Sequence, residues 1–215
     1  MGRLQHMDTE FWLHGFPVPR QAAALAGEAE RQGFDGLMLA DSENLVGDPY
    51  VELALAARDT TRLQLGVAVT NPVTRHPAVT ASAIATLQIE SGGRAVLVLG
   101  RGDSAVLQLG IRPATTAQLE RAVDDIRRYL RGEEVSTGDG GSARMAWIAP
   151  FAPAETPVSV AATGPATIAL AAPGSARSAA PCGSGRRRVT APRSAAGCRS
   201  ATRTRWPPRR GWAER

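Results

Sequence analysis

The feature that most constrains this chain is a strict alternation of short apolar runs with longer amphipathic ones, repeated five times between residues 10 and 172. Glu10–His14 reads as a first strand. Pro19–Gln32 reads as a helix, with Ala22, Leu25, Ala26 and Ala29 on one side and Gly33 just past its end. Gly36–Ala40 follows as a strand whose Leu37, Met38 and Leu39 are continuously apolar, the pattern of a strand covered on both faces. Asp48-Pro49 opens a second helix through Arg58, with Asp as cap and Pro at the first helical position. Leu63–Thr70 is a third strand, and a third helix runs from His76-Pro77 to Gly92-Gly93. Ala95–Leu99 and Thr116–Arg131 form the fourth pair, the helix striped by Leu119, Val123, Ile126 and Leu130. A Gly- and Pro-rich connection, 132–155, leads to a fifth strand at Pro157–Ala162 and a helix starting at Pro165.

Five β–α units in sequence predict an α/β fold with a parallel sheet. Periodicity leaves two closures open, a doubly wound sheet and a barrel. From Pro173 the pattern stops. Residues 1–172 hold 14 arginines and 19 acids, a net −5, whereas 173–215 hold 11 arginines and one acid, a net +10. The chain's overall +5 therefore comes from the tail alone. Both cysteines, Cys182 and Cys198, lie there too, so the body offers no disulfide framework and no cysteine metal site. Two readings of 173–215 stand side by side. One is a basic disordered arm that contacts nucleic acid or acidic surfaces non-specifically. The other, which the abrupt change in composition favours, is translation in a shifted frame. No apolar run reaches the ~20 residues of a membrane span, and the polar N-terminus lacks a secretory apolar stretch, so a cytoplasmic protein is expected.

In β/α barrels the chemistry collects at the C-terminal ends of the strands. Those positions here are His14, Asp41-Ser42-Glu43-Asn44, Thr70-Asn71-Pro72-Val73-Thr74-Arg75-His76-Pro77, Gly100-Arg101-Gly102-Asp103-Ser104 and Thr163-Gly164-Pro165. The Gly100-x-Gly102-x-x-Ala105 run looks like a dinucleotide fingerprint, but such motifs open the first β–α unit and three units precede this one. No His–carboxylate spacing suits a metal, and no nucleophile–base motif is visible. His76, before Pro77, suits a helix cap more than catalysis. Trp12 and Trp147 are expected in the core or its wall.

The Thr70–Pro77 run, Ser91-Gly92-Gly93-Arg94 and Leu99–Ser104 together resemble the luciferase-like monooxygenase superfamily. The nearer likeness is to its coenzyme F420-dependent branch, similar to methylenetetrahydromethanopterin reductase. The resemblance spans about residues 10–172. It implies a (β/α)₈ TIM barrel, here incomplete, that binds F420 or, alternatively, FMN and transfers a hydride to or from a small organic substrate, with a family-type homodimer as partner. It implies that Asp41 contacts the flavin-type ring and that Ala68-Val69 is a cis non-proline peptide supporting the ring, with Thr70 and Asn71 also binding the cofactor. It implies further that Asp103 is a catalytic acid near the hydride-accepting carbon, that Ser104 binds the cofactor, and that Thr163-Gly164 binds its phosphate. His14 is the second catalytic candidate. Ser42 stands where the sugar-phosphate dehydrogenases of this group carry histidine, which separates the chain from their acid–base chemistry. An FMN-dependent monooxygenase and an inactive truncated product are the rival readings.

Overall fold

In a computed structural model of the chain, residues 9–171 are described; the readings made for 173–215 and for Met1–Asp8 lie outside them. Seven strands and six α-helices follow in order among those residues. They are β1 (Trp12–Gly15), α1 (Ala22–Arg31), β2 (Gly36–Leu39), α2 (Pro49–Asp59), β3 (Gln64–Thr70), α3 (Pro77–Glu90) and β4 (Ala95–Leu99). Then come α4 (Asp103–Leu107), α5 (Thr116–Leu130), β5 (Val135–Ser136), β6 (Ser142–Ala143), β7 (Val158–Val160) and α6 (Pro165–Ala171).

The five principal strands pair in parallel in the order β1-β2-β3-β4-β7. Each new strand adds beside the previous one and the order never reverses. A doubly wound sheet requires such a reversal; a barrel requires its absence. The fold is thus five units of a (β/α) barrel. The sheet stays open among the described residues, with β1 and β7 each paired on one side.

One face of the sheet carries the main core. Leu37, Leu39, Leu65, Val67, Leu97, Leu99 and Val160 are fully or almost fully buried against α1, α2, α3 and α5. Burying one such leucine contributes about 2–3 kcal/mol. The opposite face, the inside of the barrel, is lined differently. A Cβ on Gly36 would come 2.2 Å from the Trp12 ring, and one on Gly66 would come 3.1 Å from Met38, so two glycines make room for the indole that fills this face.

Helix starts follow the local signals. Asp48 accepts from the amides of Tyr50 and Val51 ahead of Pro49. His76 Nδ1 accepts from the Ala78 amide, the expected capping role. Thr115 and Gln118 close a capping box. Several expectations need correction. α1 begins at Ala22 instead of Pro19, because Arg20 takes φ 70 in a turn closed by Gln21 N–H to the Val18 carbonyl. Leu25 on that helix is 36% exposed. Trp147 is also exposed, 38%, and stacks edge-on with Phe151. The connection 132–155 contains the β5–β6 hairpin and a 3₁₀ turn at Ala146–Ile148. The short α4 was likewise not anticipated. Two-residue strands and a five-residue helix carry too few residues to show a period.

Arg94 belongs to the far, N-terminal side of the sheet. Its guanidinium donates to the Ala57, Thr60, Leu63 and Ser91 carbonyls and to the Thr60 hydroxyl. The Ser91–Arg94 stretch is therefore a structural clamp across α2, β3 and β4. Among the described residues no helix is long and apolar enough to cross a membrane, and no group of His, Cys, Asp or Glu could hold a metal ion.

Candidate active site

At the C-terminal ends of β2 and β3, Asp41 is 3% exposed and accepts a hydrogen bond from the Thr70 hydroxyl at 2.7 Å. Arg75 Nε lies 3.6 Å from the same carboxylate. The Arg75 guanidinium also bonds Asp48 and sits 4.7 Å from the centre of the Tyr50 ring, over its face. Burial pushes the Asp41 carboxyl above its ordinary value. Thr70 and Arg75 oppose that rise, while the neighbouring Glu43 and Asp48 add to it. Burial likewise pushes the Tyr50 phenol up, with the Asp41 charge adding to the effect. Thr70 lies beside the Tyr50 hydroxyl but gives its proton to Asp41, and the phenol oxygen completes no hydrogen bond. Both Glu43 carboxylate oxygens are buried and have no partner among the described residues.

Asn71 continues the cluster. Its Oδ1 accepts from the amides of Val73 and Thr74 and from the Thr74 hydroxyl, which shapes the loop after β3. Its Nδ2 is buried with no acceptor among the described residues. Gly102 packs against it: a Cβ there would lie 2.8 Å from Asn71 Cβ and Cγ. One strand pair inward, the Ala68–Val69 peptide bond is cis, and the β3–β4 register shifts there, so that Ala68 pairs Val98 and Thr70 pairs Leu99. Val69 is left 37% exposed, its side chain over Gly100, where a Cβ would come 2.6 Å from Val69 Cγ1.

His14 reaches the same region. Its Nε2 lies 3.0 Å from the Ala68 carbonyl, which can only accept, so that nitrogen carries a proton and Nδ1 remains for other work. Its ring stands edge-on to Phe16.

Asp103 and Ser104 are both exposed, at the start of α4, where Gly102 takes φ 88. Asp103 shares a cavity of about 180 Å³ with Arg101, Ala161, Thr163, Gly164 and Thr167. The Gly164 amide there already donates to the Thr167 hydroxyl at 3.2 Å. The structure thus gathers the sequence candidates into two groups: Asp41, Thr70 and Asn71 with His14 and Ala68-Val69 beside them, and Asp103 with Thr163 and Gly164. A cleft of about 550 Å³ opens next to the Thr70–Pro77 loop, between Pro72, Val73 and Pro77 on one side and Ile111–Gln118 on the other. Another of about 370 Å³, between α5 and 148–156, lies where the chain enters β7, on the side away from these strand ends.

Tyr50 carries no motif signal, and Glu43 and Arg75 lie in the strand-end stretches without a role of their own in the sequence. Arg75 stood inside a quoted motif and Asp48 was read only as a cap. Their link is a contact across 27 residues, which no spacing rule reports.

Comparison with known proteins follows the same residues. Residues 4–174 match the family described as luciferase-like monooxygenase. The chain is 41% identical over 152 residues to the 5,10-methylenetetrahydromethanopterin reductase of Methanolobus tindarius, covering 66% of this chain and 44% of that protein. It is 36% identical over 151 residues to the reductase of the same name from Archaeoglobus fulgidus, covering 67% and 44%. Among solved structures, the coenzyme F420-dependent tetrahydromethanopterin reductase of Methanopyrus kandleri superposes with a TM-score of 0.64 at 26% identity, covering 77% of this chain and 53% of that one. A Baeyer-Villiger monooxygenase constituent from Pseudomonas putida, solved with FMN, superposes at 0.59 and 20% identity, covering 72% and 51%, a likeness of fold alone. The chain spans about half the length of these relatives.

Proposed function

Because the chain belongs to the luciferase-like monooxygenase family, an enzyme family, we propose that it carries the cofactor-holding part of an oxidoreductase that moves a hydride between reduced coenzyme F420 and a small organic substrate. The observation that carries this reading is the pairing of a buried acceptor with a buried, unpartnered donor at the strand ends. The Asp41 carboxylate accepts, and the Asn71 amide has a proton to give. A flavin-type ring offers N–H and C=O groups along its pyrimidine edge, so these two side chains fit it. When bound, F420 supplies the hydride, and the protein supplies position and electrostatics.

The chain's own residues divide the remaining work. The exposed Val69 side chain at the cis bulge is the apolar wall for the back of the ring. Thr70 orients Asp41 through its hydroxyl. His14, its Nε2 proton held by the Ala68 carbonyl, presents Nδ1 for a proton at the substrate side, and Asp103, exposed beside Ser104, is the second acid–base candidate. Arg101, with Thr163 and the first turn of α6, provides the positive end of the cavity for a phosphate. The Gly164 amide takes part only if it exchanges its bond to Thr167. A small substrate in the cytoplasm and a homodimer complete this reading.

Titration of the 215-residue protein with F420 and, separately, FMN tests it. Tighter binding of F420 is expected, weakened at least about tenfold by Asn71→Asp, which keeps the Oδ1 acceptor that shapes the loop and removes the Nδ2 donor. Tighter binding of FMN would assign the chain to the FMN-dependent monooxygenases, a conclusion that oxygen uptake with reduced FMN would check. Binding of neither would overturn the proposal.

A further inference from the structure

Arg75 faces a crowded set of groups. Asp41 and Glu43 come from the loop after β2, Asp48 and Tyr50 from the start of α2, and Thr70 from the end of β3. Two carboxylates and a phenol lie against it, Glu43 adds a third carboxylate on the Asp41 side, and no other cation is paired with any of them among the described ion pairs. The arginine side chain is only 22% exposed, its central carbon lies 4.7 Å over the Tyr50 ring, and Asp48 bonds its terminal nitrogen. Burial disfavours its charge, but Asp41 and Asp48 outweigh burial and keep it firmly protonated.

We propose that Arg75 is the positioning residue of the site: set over Tyr50 and bonded to Asp48, it favours the ionised form of the Asp41 carboxyl, in which both oxygens accept and neither donates. An ionised Asp41 already accepting from Thr70 has capacity left for a ring N–H; a protonated Asp41 presents a donor where an acceptor is needed. The ligand-facing half of this inference rests on the reading of Asp41 given above. The half that concerns the Arg75–Asp41 coupling does not.

A plain loop staple would also hold Asp48 and Tyr50, so the test must read charge on Asp41. Burial raises the Asp41 pKa, and removing Arg75 raises it further. A carboxyl with a raised folded-state pKa destabilises the fold above that pKa and ceases to do so as pH falls through it. The thermal unfolding midpoint of Arg75→Met should therefore lie below that of the unaltered protein at neutral pH, and the gap should narrow as pH falls through the raised Asp41 pKa toward the ordinary carboxylate range. In an Asp41→Asn background this narrowing should vanish. Asp48→Asn, which keeps a helix cap, removes a carboxylate that raises the Asp41 pKa. It should shift the pH response in the opposite direction, and it serves if Arg75→Met does not fold. F420 affinity should depend on pH less in the unaltered protein than in Arg75→Met. In Arg75→Met it should strengthen by up to about tenfold per pH unit as Asp41 ionises, and Arg75→Lys should restore the weaker dependence. A pH-independent stability gap, or a gap that survives Asp41→Asn unchanged, overturns the proposal. A coupled stability profile with an F420 affinity that varies with pH in Arg75→Met as it does in the unaltered protein keeps Arg75 in its role and removes Asp41 from the ring-binding reading.

Discussion

Gly102 shows what a single missing side chain does for the site. Its φ of +88 lies in the left-handed region, and a Cβ there would press on Asn71 at 2.8 Å. Gly110 has a comparable φ of +67 but open space around it. The two glycines separate strain from contact. Ala at either position should lower stability by about 1–2 kcal/mol through backbone conformation. Only Gly102→Ala should also displace the Asn71 amide and weaken F420 binding. Thermal melts and cofactor titrations of both variants check this; equal affinities would show that Asn71 does not meet the ligand. Gly102 and Asn71 were each legible as strand-end residues. Their contact was not, because 31 residues and a β–α crossover separate them.

Between elements, the clearest device is Glu30 at the end of α1. Its carboxylate accepts from the amides of Thr61, Arg62 and Leu63 and from the Thr61 hydroxyl, tying α1 to the turn that feeds β3. Burial raises its pKa, but the three amides and the hydroxyl outweigh burial and hold it at about 2, against an ordinary 4.5. A lowered pKa means that the folded state gives up its proton more readily than the unfolded one. The stabilisation is therefore full above about pH 4.5 and fades as pH falls toward 2. Glu30→Gln should lower stability by about 1–2 kcal/mol at neutral pH, a figure discounted for solvent screening. Chemical denaturation from pH 7 to pH 2.5 should show the deficit shrinking across the acidic range. A deficit that stays constant would place the effect in packing instead of charge. The sequence placed α1, α2, α3 and α5 within three residues of their ends, through Pro, Asp, Thr and Gly signals. It missed α4 and the β5–β6 hairpin, whose brevity leaves their formation to contacts outside themselves.

At the scale of the whole fold, the sheet is open among the described residues. β1 and β7 each pair on one side among the described residues, and Phe11 and Phe16, flanking β1, are 64% and 62% exposed. Unpaired strand edges template association. The 215-residue protein should self-associate in a concentration-dependent way by light scattering, and its β1 amides should exchange quickly when it is dilute. A stable monomer with protected β1 amides would show that the edge is covered.

At this same scale, the alternation of apolar runs and amphipathic stripes by itself determined that the protein would build parallel β–α units, and helix caps determined where most helices begin. These are local properties, set by side-chain period and backbone hydrogen bonding within a few residues. Only the tertiary structure decided that the strands add without reversal, that Trp12 fills the face vacated by Gly36 and Gly66, that Arg94 clamps the far side, and that Arg75 bridges Asp41 and Asp48. Each of these joins residues tens of positions apart. Such contacts form where packing brings the strand ends together, and a burial energy shared across elements cannot be read from any one of them.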